Sequence, residues 1–433
     1  MKPIKYSILL ITAISLGFAS CKKNFTNPNA TPIEDGLSSI AGLTGIAIGL
    51  QKQYSFSRVS PLYNLVTANG FSTYELLLRN EGNVDEFNLS KGGINVDGNN
   101  NVIGNLWAQN LKVIFDANNV INNAQNLADK NYASGLIAYS SIWKALSLGN
   151  LYMYWENVPD TIGQNVGFIP RTEGLKRVIA TLDKAIAAVA ANPISAQFLT
   201  NLPAGIEIPN TLQALRARYL LFDGNNAAAL AAAKLVNRSV KSEMRFDAIT
   251  PNPIYNVATA TNNVFQVLDS TFGLPVGLAP DLADKRIPFY MVVNPTVLPR
   301  WRINGFGAAT TTPWPIYLPG EITLIKAEAY ARLNQLPEAI VELDSVRTKQ
   351  PASDPFGVGA GLAPYSGPIT QADILIEIYR QRQIELYMQG FKMEDMRRFG
   401  RPNTPNVEKR RNFFPYPFRE RDNNPNTPAD PGF

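Results

Sequence analysis

Histidine is absent from this 433-residue chain, and cysteine occurs once, at Cys21. The first absence removes Ser-His-Asp and Cys-His catalysis and the usual zinc sites. A carboxylate-only enzyme of the glycoside-hydrolysing kind stays open. A single cysteine allows no intrachain disulfide framework. After the first twenty residues no segment is apolar enough over enough length to cross a bilayer. Charge of one sign is not in large excess either. The net charge is +5, the charges are interspersed, and the one short basic cluster is Lys409-Arg410-Arg411. That balance makes no electrostatic case for a nucleic-acid partner. No cofactor is expected, and no residue is assigned as a metal ligand.

The amino-terminal residues read as a leader. Lys2 and Lys5 form a basic start, Ile8 to Ala19 is a short apolar stretch, and the small pair Ala19-Ser20 precedes Cys21. This is the layout of a bacterial secretory signal. The position of its cysteine predicts lipoprotein processing, with cleavage before Cys21 and acylation of that residue. The product would be anchored to a membrane by lipid without spanning it. Loss of Lys2 and Lys5 with the leader leaves +3. Residues 21–36, polar and proline-bearing, are then a lipidated tether, and residues 37–433 a single domain.

Apolar periodicity predicts a mainly α fold. A buried helix is expected over Leu37 to Tyr54, with Ser72 to Arg79 continuing the helical run, and residues 81–104 read as a Gly/Asn-rich loop. Leu106, Val113, Val120 and Leu127 recur every seven residues along an amphipathic helix. Further helices are expected over Tyr132 to Trp155 and Thr172 to Ala191. Trp107, Trp143 and Trp155 lie on these helices and are assigned to the core.

Two later segments repeat one another. Ala217, Leu220, Ala229, Ala233 and Val236 share their spacing with Ala327, Tyr330, Ala339, Leu343 and Val346. Each set is interrupted by a break, Asp223-Gly224-Asn225 in one and Leu336-Pro337 in the other. This is the tetratricopeptide pattern of helical hairpins. The scaffold is therefore a tetratricopeptide-like array of hairpins, about 106–237 and 318–349, with an irregular, loop-rich insertion and a few short strands. The insertion, about 245–315, is rich in Pro, Asn, Thr and aromatic residues. Phe265 to Leu268 and Tyr290 to Val293 read there as strands. A Gly/Pro loop over 351–370 leads to one long final helix, about 372–399, and an extended tail.

Several stretches resemble the SusD/RagB family of outer-membrane lipoproteins. The most specific is Ile378 to Gly400, in which Arg382, Glu385, Leu386, Gly390, Asp395, Arg398 and Gly400 match the family's helical motif, while Gln381, Gln389, Lys392 and Met396 depart from it conservatively. The segment from Pro315-Ile316-Tyr317 to Ala331, the turn Asp284-Lys285-Arg286, and the tail Phe414-Pro415-Tyr416-Pro417 with Asn424-Pro425 resemble other family features. The resemblance implies a surface-exposed lipoprotein, anchored in the outer membrane through Cys21. Such a protein binds a nutrient glycan, oligosaccharide or peptide and delivers it to a SusC-like TonB-dependent transporter. Lys22-Lys23 stands where an acidic export run is often found.

Two residue-level questions follow. Glu385, Glu394 and Asp395 could supply a carboxylate pair, but Arg382–Glu385, Asp395–Arg398 and Glu394–Arg398 have the spacing of ion pairs along a helix, and that structural reading is preferred. Exposed rings beside amides and charges suit sugars. Trp301 and Trp314 fall in the insertion next to turn residues, and Tyr74 comes from an early segment that the family analogy places near the ligand face. Trp301, Trp314 and Tyr74 are the candidate ligand-binding rings, with Arg79 and Asn69 as polar partners. A binding protein is thus the leading reading and not an enzyme. The alternatives are a tetratricopeptide scaffold lipoprotein of an outer-membrane assembly complex and a carboxylate-dependent glycosidase.

Overall fold

The computed structural model describes residues 33–432 apart from 262, 296, 297, 299 and 300. Cys21, the expected leader and most of the expected tether lie outside the described residues. The amino-terminal half holds α1 (Ile33–Ser38), α2 (Ile40–Ser55), α3 (Pro61–Ser72), α4 (Val84–Lys91), α5 (Asn101–Ala124), α6 (Lys130–Tyr154), α7 (Arg171–Ala191) and α8 (Ala196–Asn201). The hairpins α9 (Ile208–Phe222)/α10 (Asn226–Lys234) and α12 (Pro319–Arg332)/α13 (Leu336–Arg347) follow, with the short α11 (Arg286–Tyr290) between them. The chain ends with α14 (Gln371–Glu385), α15 (Lys392–Arg398) and α16 (Phe418–Asn423).

Local chemistry starts these helices where they start. Asp129 Oδ1 accepts from the Tyr132 amide at 2.9 Å, Asn100 Oδ1 from Val102 and Ile103, and Ser60 Oγ from Tyr63 with Pro61 in the first turn. Each bond satisfies donors that a helix end leaves open. Helices α5, α6 and α7 pack side by side, α2 lies on α5 and α6, and α10 stacks on α12. Trp107, Trp143 and Trp155 are buried among them.

The repeat reading holds in detail. Ala217, Leu220, Ala229, Ala233 and Val236 are buried, as are Ala327, Ala339, Leu343 and Val346. Only Tyr330 is half-exposed, with the Lys234 ammonium 5.3 Å from its ring centroid across the α10–α12 contact. The second break falls at 333–335, where Asn334 has φ 59°. Leu336-Pro337 instead opens α13, since proline suits the first turn of a helix.

Among the described residues, eight short strands make four antiparallel pairs. They are β1 (Leu76–Leu78) with β5 (Phe265–Val267), β2 (Asn157–Pro159) with β3 (Phe168–Pro170), β4 (Glu243–Met244) with β8 (Trp314–Pro315), and β6 (Met291–Val293) with β7 (Trp301–Ile303). The β4–β8 pair aligns Met244 with Trp314, so the insertion leaves the helical body and returns to it at one place.

Three expectations need correction. The segment 72–79 does not extend a helix: Tyr74 at φ 63° ends it, and Leu76–Leu78 become β1. The 81–104 stretch is not all loop. Helix α4 forms there with Asp85 and Glu86 in its first turn, favourably placed against the helix dipole. Only Glu86 and Leu89 of it are buried, so it shows little apolar period. The final helix is two helices. Met388 (φ 60°) and Gly390 (φ 80°) turn the chain between α14 and α15, and a Cβ on Gly390 would lie 2.5 Å from Leu65 Cγ.

Candidate functional site

The insertion and the early segment meet at β5. Phe265 and Val267 point into the core, where Phe265 packs edge-on to Tyr63 and Phe71 at centroid distances of 6.3 and 5.7 Å. Alternation sends Gln266, paired in register with Leu77, to the other face. It is buried there all the same. Its Oε1 accepts from Arg79 Nη1 at 3.0 Å, and its Nε2 is enclosed without a hydrogen-bond partner. The backbone extends the contact, since the Arg79 amide donates to the Val264 carbonyl at 2.8 Å.

Strand β7 packs against β5 and brings Trp301 to this place. Trp301 pairs with the exposed Val293 and is itself half-exposed, resting on the core by one side. Next in the strand, Arg302 donates from Nη2 to the Thr259 carbonyl. An indole, a guanidinium and an enclosed amide donor without a partner thus lie on or beside the packed strands β5 and β7. Rings accept the C–H faces of sugars, and amides and guanidinium groups hold hydroxyls, so the set suits a polyol ligand. Of the expected residues, Arg79 bonds to β5 through Gln266, and Trp301 lies on β7, the strand packed against β5. Gln266 was overlooked, although a lone amide inside Phe265-Gln266-Val267-Leu268 is a signal that sequence reading can use.

The other three expected residues are elsewhere. Trp314 is 2% exposed, next to Phe306 at a centroid distance of 6.0 Å. It lines an internal cavity of about 30 Å³ with Tyr54, Arg218 and Phe391. It is a core residue, because the β4–β8 pairing pulls it inward. Asn69 is fully buried, donates from Nδ2 to Glu75 Oε2 at 2.5 Å and accepts from the Met393 amide at 3.1 Å. One end of its amide serves the α3–α15 contact and the other holds Glu75, in the turn from α3 into β1. Tyr74 carries the Arg410 guanidinium 4.3 Å from its ring centroid, and Arg410 in turn donates to the Ser72 and Phe71 carbonyls. Its ring is thereby engaged with the carboxy-terminal segment.

The charged motif is structural, and of the expected helical pairs Asp395–Arg398 forms, at 2.8 Å. Arg382 and Glu385 do not pair with each other. Arg382, fully buried, forks onto Asp395 with both bonds at 3.0 Å and lies 3.8 Å from Glu328. Arg398 forks onto Glu328 at 2.7 and 2.9 Å and also meets Asp395 at 2.8 Å. Glu394 takes Arg171 and Arg397. Glu385 accepts from Arg286 at 3.1 Å and from Lys349 at 2.5 Å, while Arg286 holds Asp284 at 2.6 Å. The Asp284–Arg286 turn and the α14 motif are thus parts of one buried network. Glu328 feels burial, which raises its pKa, but Arg398 foremost, then Arg382 and Arg332, outweigh that and hold it at about 2. Among the described residues, no group of three or more His, Cys, Asp or Glu side chains is placed to hold a metal ion.

A family model described as SusD family matches residues 298–430. Solved structures resemble nearly the whole chain. A SusD superfamily protein from Parabacteroides distasonis has a TM-score of 0.71 at 16% identity, covering 94% of this chain and 100% of that one. A SusD-like carbohydrate binding protein from Bacteroides fragilis scores 0.68 at 14% identity, covering 90% and 99%. A putative sugar binding protein from Bacteroides vulgatus scores 0.69 at 13% identity, covering 92% and 99%. No curated protein sequence matches the chain. Residues 298–430 thus match the SusD family model, and the helical fold of nearly the whole chain is the one found in SusD superfamily structures.

Proposed function

We propose that this protein binds a nutrient glycan or oligosaccharide at the face formed by Trp301, Arg79 and Gln266, and performs no reaction on it. In this reading residues 1–20 are a signal peptide, Cys21 carries the lipid anchor at the outer membrane, 21–36 form the tether, and the body from residue 37 is one domain. The protein presents its ligand to a SusC-like TonB-dependent transporter. The observation that carries the reading is the SusD family match on residues 298–430, the segment that holds Trp301 and the Arg382, Asp395, Arg398 and Glu328 cluster. Two fold neighbours described as carbohydrate or sugar binding proteins support the ligand class. A pure scaffold would need the helical hairpins alone. Here the 245–315 insertion has its own paired strands and encloses an amide donor without a partner, which favours a ligand.

Calorimetry of the mature protein against plant, host and microbial oligosaccharides and peptides tests this directly. A saturable glycan that Trp301→Ala weakens supports the site. Binding by peptides alone would replace the ligand class, and no binding across the panel would return the protein to the scaffold reading. Co-purification with a TonB-dependent transporter from outer membranes tests the delivery step.

A further inference from the structure

A second cavity, of about 260 Å³, opens far along the sequence from the Trp301 face, where the carboxy-terminal ends of α12 and α15 meet the outer side of α14. Its walls include Ile376, Tyr379, Phe399, Arg332, Arg398 and Arg401. The ring of Phe399 has the Arg332 and Arg398 guanidinium groups 5.1 and 5.2 Å from its centroid, and Arg401 stands 5.4 Å from that of Tyr379.

Each of the three arginines is held by Nε and Nη2. Arg398 spends these on Glu328 and Asp395, Arg332 on Glu328 and the Arg398 carbonyl, and Arg401 on Glu408. Those bonds leave Nη1 of each unused. Arg398 Nη1 is buried without a partner, and so is the hydroxyl of Tyr379, a side chain that is 1% exposed. A buried donor without an acceptor costs about 1–3 kcal/mol, and native proteins keep few of them. The carboxylates of this wall, Glu328, Asp395 and Glu408, are already taken up by the same arginines and by Arg382. What the cavity lacks is an acceptor. Its rim is apolar, with Ile376 46% exposed.

We propose that this cavity is a second binding site, for a carboxylate carried on an apolar or ring-shaped body. The carboxylate accepts from Arg398 Nη1 and the Tyr379 hydroxyl, and the body rests on Phe399 and Ile376. Three guanidinium groups in one wall favour a carboxylate over an isolated hydroxyl, because they carry the opposite charge and match its two oxygens. The chemistry is shared by the free end of a peptide and by a sugar acid.

Isothermal titration of the full mature protein distinguishes these sources. The probes are an amino-acetylated tripeptide ending in leucine with a free carboxylate, the same peptide amidated, and glucuronate. We expect saturable binding by at least one acid and at least ten-fold weaker binding of the amide. Peptide binding alone assigns a chain terminus, and glucuronate binding alone assigns a sugar acid. Tyr379→Phe should weaken the bound acid several-fold while leaving the melting temperature unchanged, since that hydroxyl bonds to nothing in the free protein. Ile376→Glu, on the exposed rim, should abolish binding by repulsion with the fold intact. No saturable binding of either acid, equal binding of acid and amide, or indifference to both substitutions would overturn the site. So would equal competition by chloride or phosphate, which would make it a sink for small anions only. The outcome is independent of the Trp301 face, where neither substitution lies.

Discussion

Replacing Glu328 by glutamine tests whether the charged motif supports the fold. The carboxylate is fully buried and receives two bonds from Arg398, at 2.7 and 2.9 Å, and one from Arg332 at 2.8 Å, with Arg382 3.8 Å away. The amide of glutamine turns one accepting oxygen into a donor that faces a guanidinium. It also removes the charge that balances buried arginines. Breaking one member of such a network costs about 3–5 kcal/mol. The pH dependence gives an independent check. Glu328 titrates at about 2 in the folded protein against an ordinary 4.5. A depressed carboxylate contributes stability that is complete above its unfolded pKa and is lost as pH falls from there through the folded value. The stake is on the order of 3 kcal/mol, each unit being about 1.4 kcal/mol. Urea unfolding of both proteins from pH 7 down to pH 2.5 measures it. The wild type should lead at pH 7, and its lead should shrink between about pH 4.5 and pH 2.5 as its own Glu328 begins to take up a proton. A difference under about 1 kcal/mol at pH 7, well below that range, or a gap that does not narrow in acid, would refute the network account.

Cys21→Ala should leave a folded protein that no longer fractionates with membranes, and retention without any transporter present would rule out acyl anchoring. Ala327→Leu should overpack the α12–α13 contact and cost about 1–3 kcal/mol in thermal or denaturant unfolding, because Ala327 is fully buried in that cluster. An unchanged melting temperature would count against close packing there. The two insertion tryptophans should separate cleanly. Trp314→Ala removes a core ring at a cost of about 3–5 kcal/mol of stability. Trp301→Ala should weaken a bound glycan by about ten-fold, roughly 1.4 kcal/mol, with a much smaller change in melting temperature. The reverse pattern would relocate the site.

Much of the architecture is legible because its causes are local. Helix caps, the seven-residue apolar spacing of α5 and the matched small residues of the two hairpins all act over a few turns, so the sequence alone carries them. The same is true of Trp107, Trp143 and Trp155, which apolar periodicity assigns to the core. Trp301 and Trp314 show the limit. Both sit in irregular sequence beside turn residues, and nothing local separates them. Their fates diverge because Trp314 pairs with Met244, about seventy residues earlier, while Trp301 pairs with exposed Val293. The motif around Arg382 and Glu385 shows it again. Spacing of three on a helix suggests partners, yet each side chain turns to a different element, Asp395 and Glu328 for one, Arg286 and Lys349 for the other. Sequence by itself determined the helical class, the hairpin repeat, the lack of histidine chemistry and the expectation of a lipid anchor. Tertiary structure alone decided which rings reach solvent, which charges are buried, and that Gln266 joins Arg79 on a strand packed against that of Trp301. Burial and long-range pairing depend on contacts between residues far apart in the chain, and no local pattern encodes them.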